Sequence, residues 1–107
     1  MINVSVIQFE PKLGDPDRNL LTIREHLEKT TNADLVVLLE LALTGYNFTD
    51  RKMAMELSEV PENSDLVTML HNVATTNDQY IVTGFNERSG GQLYNSSLLI
   101  GHEGILG

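Results

Sequence analysis

The sequence predicts an α/β layered fold, and three observations carry that expectation. Amphipathic helical patterns alternate with short apolar strand patterns in the order β-α-β-α-β-β. Residues 35–39 form a continuous apolar run, Leu-Val-Val-Leu-Leu. A run that short fits a strand of a parallel sheet, buried on both faces. Finally, Ser89-Gly90-Gly91 separates the last two apolar stretches and predicts an antiparallel hairpin.

Each element has its own local reason. Residues 2–9 begin with Ile2, Val4 and Val6 alternating with Asn3 and Ser5, a strand pattern. Residues 11–14 make a turn. Asp15 then Pro16 supply an N-cap and a first helical position, and Asp17 adds negative charge to the first turn. Leu20, Ile23 and Leu27 recur at helical spacing, so an amphipathic helix runs to about residues 30–32. The apolar run at 35–39 is the second strand. Residues 45–49 form a loop and 51–57 a short helix, and 61–64 are a break ending in a cap. Leu66, Met69, Leu70, Val73 and Ala74 predict a strong helix over 65–76, with Asn77 as the residue just past its end. Residues 80–85 and 93–100 are the third and fourth strands. Glu103-Gly104 turns again, and Ile105-Leu106 reads as a strand beginning.

Composition narrows the function classes. The chain has 107 residues, enough for one small domain with a modest core. It carries 15 acids against 7 Lys and Arg, a formal net charge of -8. That balance argues against nucleic acid or an anionic membrane surface as partner. No apolar run approaches the ~18 residues of a membrane span. The start lacks a basic, apolar leader, so the expected location is cytoplasmic and the Asn-x-Ser/Thr sequons at Asn3, Asn47 and Asn95 are chance matches. There is no cysteine, which removes disulfides, thiolate metal sites and any cysteine nucleophile within these residues.

The most informative residue is Glu40, which ends the apolar run between Leu39 and Leu41. Open α/β sheets place their ligand chemistry at the carboxyl ends of strands. A carboxylate among leucines is costly to bury while charged. Glu40 is therefore either a perturbed acid/base or an exposed residue just past the strand.

At this point the pattern resembles the nitrilase, or carbon–nitrogen hydrolase, superfamily over essentially the whole chain. Gln8 closes the first strand, as in the family's opening motif. Gly14-Asp15 with Asn19 resembles its Gly-Asp-x-x-x-Asn helix start. Ala33-Asp34-Leu35-Val36-Val37 through Glu40 and Thr44-Gly45-Tyr46 resembles the strand that carries its catalytic glutamate. Tyr94-Asn95-Ser96 with Gly104 resembles the later Tyr-Asn-Ser strand and its glycine turn.

The resemblance implies a four-layer α-β-β-α sandwich, of which 1–107 would be the N-terminal part, truncated after the fourth strand. It implies homo-oligomers, a small amide as substrate and no cofactor or metal. It also implies a Glu-Lys-Cys mechanism in which Glu40 is the general base. Apolar neighbours would raise its pKa toward the working pH, which suits proton transfer. Two departures stand out: Leu39 replaces the family's usual proline, and neither the lysine motif nor the cysteine is present. Lys12, Lys29 and Lys52 do not match that motif. The chain alone is expected to be inactive, under half of a usual member.

Other residues have plainer readings. Tyr46 lines a substrate pocket or packs at a loop start. His26, His71 and His102 are scattered, and exposed or capping roles fit them better than metal ligation. Asn95 reads as structural, and Met53, Met55 and Met69 as core or interface filler. Two other classes compete with the hydrolase. One is a non-catalytic truncated or degenerate module of the same family. The other is the glutaminase-type domain of an NAD synthetase, which shares the Gly-Asp and Thr-Gly-Tyr patterns. A flavodoxin-like or receiver domain fits the β-α-β opening but lacks a receiver's acidic pair, since Phe9-Glu10 stands there.

Overall fold

A computed structural model describes residues 2–38 and 51–107. Five strands form one sheet in chain order: β1 (Val4–Ile7), β2 (Leu35–Leu38), β3 (Tyr80–Ser89), β4 (Gln92–Gly101) and β5 (Gly104–Ile105). The first two pairings are parallel and the last two antiparallel. β2 therefore lies between two parallel neighbours, as its apolar run predicts.

The helices α1 (Pro16–Leu27) and α3 (Asp65–Asn77) carry the crossovers, and a shorter helix, α2 (Arg51–Glu56), precedes a single 3₁₀ turn at Pro61–Asn63. The Asp15 carboxylate caps α1 by accepting the Arg18 amide at 3.2 Å. Ser64 caps α3, its Oγ accepting the Val67 amide at 3.4 Å. α3 runs through Asn77 rather than stopping before it. The left-handed residue that ends it is Asp78, at φ 50° and ψ 57°. Aspartate tolerates that conformation better than most residues.

Strand alternation divides the sheet into two unlike faces. Val36, Leu38, Ile81, Phe85, Leu98 and Ile100 point to the helices and are buried against Ile23, Leu27, Leu66, Leu70 and Ala74. The opposite face carries the rows Val4–Leu35–Tyr80 and Val6–Val37–Val82–Leu99. Along these rows much of the surface is open: Val4 is 55% exposed, Val6 62% and Tyr80 49%. The described residues thus form two layers, helices on sheet.

The hairpin is longer than the sequence pattern predicts. β3 and β4 are each ten residues, joined by Gly90 and Gly91, both at positive φ. Such a two-residue turn matches the twist of its strands. Beyond the last residue that β2 pairs, the outer edge of β3 is covered by Glu59. The Glu59 amide donates to the Asn86 carbonyl at 3.0 Å, and the Arg88 amide donates to the Glu59 carbonyl at 2.8 Å.

Candidate active site at the carboxyl end of the second strand

The amino ends of the parallel strands are locked by Gln79. It is buried, and its Nε2 donates to the carbonyls of Thr30 (3.1 Å) and Ala33 (3.0 Å). The link joins the turn before β2 to the turn before β3. Buried amides must find such partners.

Two buried asparagines hold the carboxyl-end rim. Asn19 sits in the first turn of α1, 2% exposed. Its Oδ1 accepts the Lys12 amide at 2.7 Å and its Nδ2 donates to the Lys12 carbonyl at 2.8 Å. This fixes the turn that leads from β1 into α1, and it gives the Gly-Asp-x-x-x-Asn pattern a physical purpose. Gly14 in that turn has φ 75°, and a Cβ there would lie 3.4 Å from the Met53 Cε of α2. Asn86, in β3, donates from Nδ2 to the Ala54 carbonyl of α2 at 2.9 Å. Sequence reasoning passed over Asn86, which lies just past the 80–85 strand pattern.

Between these supports, on the sheet face away from the helices, lies a depression of about 340 Å³. Val37 and Leu38 from the end of β2, Val82 and Gly84 from β3, and Asn95 and Ser97 from β4 line it. Gly84 contributes no side chain, which leaves room between its neighbours. Asn95 is exposed and stands opposite Asn86 in the hairpin register. In the same motif, the Ser96 Oγ donates to Glu87 Oε1 at 2.7 Å, tying β4 to β3. Glu40, Tyr46, Leu39 and Thr44-Gly45 lie outside the described residues. Leu38, two positions before Glu40, ends β2 at the edge of this depression.

Another polar cleft opens beside Glu56, Glu59, Asn63 and Arg88. Burial pushes the Glu59 carboxyl above the ordinary carboxylate range. The hydrogen bond from Ser64 opposes that rise, Asp65 adds to it, and Arg88 opposes it.

The histidines do not converge. His26 stacks on Phe9 with ring centroids 5.9 Å apart, and His71 Nε2 donates to the His102 carbonyl at 2.8 Å. His102 lies 3.7 Å from Glu103. Among the described residues no group of three potential metal ligands occurs, and no helix is long and apolar enough to cross a membrane.

Comparison with known proteins adds the family. The sequence pattern described as "Carbon-nitrogen hydrolase" matches residues 3–107. A nitrilase of Pyrococcus abyssi (strain GE5 / Orsay) is 35% identical over 109 residues, covering 100% of this chain and 42% of that protein. The protein N-terminal amidase of Saccharomyces cerevisiae is 27% identical over 110 residues, covering 96% of this chain and 24% of the relative. A crystal structure of N-terminal amidase superposes with a TM-score of 0.88 at 26% identity, over 98% of this chain and 26% of that one. The chain thus spans less than half the length of these relatives.

Proposed function

The chain belongs to the carbon–nitrogen hydrolase family, and from that premise we propose that it is the N-terminal part of an enzyme that hydrolyses a small amide, with Glu40 as general base. The helices-on-sheet arrangement is the corresponding part of a nitrilase-type α-β-β-α sandwich. The observation that carries the proposal is the position of β2. It is held between two parallel strands, and its carboxyl end borders the depression beside Asn95 and Ser97. That is the strand end at which α/β sheets present reacting groups.

The proposed chemistry follows the Glu-Lys-Cys scheme. A thiolate attacks the amide carbon and forms an acyl-enzyme, and water then releases the acid. Glu40 takes the thiol proton and passes it to the leaving amine, while a lysine stabilises the tetrahedral oxyanion. These 107 residues contain no cysteine, so the nucleophile belongs to a longer protein carrying this chain. Tyr46, six residues beyond Glu40, is proposed to border the acyl pocket.

Two assays test the reading. The 107-residue chain alone should release no ammonia from small amides above a matched blank. In a full-length protein supplying the lysine and cysteine, Glu40→Gln should slow acyl-enzyme formation on the order of 10²–10⁴-fold. Its melting temperature should stay near that of the parent. Near-normal acylation by Glu40→Gln would remove the general-base assignment.

A further inference from the structure

The sheet face away from the helices changes character along its length. Its aliphatic row passes through Val37 and Val82. Two residues further along β3, Gly84 pairs with Ser97, and two further again Asn86 stands opposite Asn95. Residues two apart in a strand share a face. Between Val82 and Asn86 this face therefore passes from aliphatic, through a gap, to amide. The helix-facing positions beside the gap are filled, since Phe85 and Leu98 are both buried.

A glycine inside a strand weakens it and offers nothing to pack. Gly84 is not at positive φ, unlike Gly90 and Gly91 of the hairpin turn, so its backbone does not call for glycine. What it supplies is a missing side chain, and it lines the depression of about 340 Å³. Small-molecule sites span roughly 300–1,000 Å³. The described lining combines apolar Val37 and Val82 with Ser97 and Asn95, which are neutral, hydrogen-bonding and exposed. No Asp, Glu, Lys, Arg or His is among the described lining residues. A charged group entering there would lose hydration without gaining a counter-ion. A neutral polar group could instead bond to the Ser97 hydroxyl, which both donates and accepts.

We propose that this depression binds the acyl chain of the amide substrate, and that Gly84 and Ser97 set its specificity. Gly84 leaves room for the chain, and Ser97 hydrogen-bonds a neutral polar group near its end. The substrate class is then a short-chain amide bearing a second carboxamide or a hydroxyl, rather than a carboxylate or an amine. This rests on the reading of the longer protein as an amide hydrolase, and on residues of β2, β3 and β4 alone.

The experiment uses a full-length protein carrying this chain, with the variants Ser97→Ala and Gly84→Ala. kcat/KM is measured for acetamide, succinamide, its charged counterpart succinamate, and 4-methylpentanamide, in which an apolar group of the same shape replaces the second carboxamide. The parent should favour succinamide over both succinamate and 4-methylpentanamide. Ser97→Ala should reduce the preference for succinamide over 4-methylpentanamide about tenfold, the scale of one lost hydrogen bond. Gly84→Ala should lower kcat/KM for succinamide about tenfold more than for acetamide, because the added methyl takes the room that the longer chain needs. Equal losses on all four amides, no losses, or a parent that favours succinamate would overturn the inference. Binding is read apart from turnover in a full-length variant whose nucleophilic cysteine is replaced by alanine. There succinamide should shift the backbone amide signals of Gly84 and Ser97, and Gly84→Ala should abolish the shift. A parent that hydrolyses none of these amides, with the shift present, would defeat the amide-hydrolase reading and leave this site standing. Hydrolysis without the shift would overturn the site and leave that reading intact.

Discussion

Glu59 shows how one side chain can serve the fold at a pH-dependent cost. Its carboxylate accepts the Ser64 hydroxyl at 3.1 Å, yet burial raises its pKa above the ordinary value. Between the ordinary and raised values the folded chain holds a proton that the unfolded chain has released. Stability from this group is therefore fullest below that window and is lost as pH rises through it. Glu59→Gln keeps an acceptor for Ser64 and removes the charge. The variant should match or exceed the parent's melting temperature at neutral pH, and the gap should close as pH falls through the window. A variant less stable than the parent at neutral pH would mean that the charged hydrogen bond outweighs desolvation. Asn19 and Asn86 differ from Glu59 in bearing no charge, so they hold backbone groups without this dependence.

At the scale of elements, α3 depends on Ser64 more than its apolar stripe suggests. The residue is 1% exposed, caps the helix, and donates to Glu59. Ser64→Ala should cost about 1 kcal/mol through the cap alone, and more because Glu59 loses its donor. Urea unfolding should show a lower midpoint with an unchanged slope; an unchanged midpoint would show that the cap contributes nothing. The same elements show what a sequence exposes. Leu20, Ile23 and Leu27, and likewise Leu66, Leu70 and Ala74, announce their helices because one face is buried at helical spacing. The far half of β3 was not legible, because Asn86, Glu87, Arg88 and Ser89 are polar. Their strand conformation comes from pairing with 92–95 on one side and Glu59 on the other. α3 ends one residue beyond the position its apolar pattern predicts, because Asp78, not Asn77, takes the left-handed conformation. For the site, Glu40 is legible as a carboxylate ending an apolar run. Asn86 is not, since its partner Ala54 lies 32 positions away and no local pattern encodes that bond.

For the molecule as a whole, the deciding feature is the apolar sheet surface that the described residues leave exposed. Val4, Val6 and Tyr80 expose about half or more of their surface there, beside Val37, Val82 and Leu99. Contiguous apolar patches beyond a few hundred Å² are uncommon on stable monomers. The isolated 107-residue chain should therefore self-associate or bind an apolar dye, and sedimentation with dye titration would show it. Val6→Lys, placing a charge on a side chain already 62% exposed, should reduce both signals. A monodisperse, dye-silent chain with a cooperative thermal transition would count against this account.

The two-glycine turn between β3 and β4 also has a kinetic meaning. A hairpin closed by Gly90 and Gly91 needs no distant chain to form, and such hairpins close in roughly 1–10 μs. The parallel pairs that join β1 to β2 and β2 to β3 must each wait for a crossover to fold back. β3 then acts as a template, accepting β2 on one stretch of its edge and Glu59 on the next. Assembly would start near the carboxyl end of the described chain and travel back toward residue 4, against the direction in which the ribosome makes it.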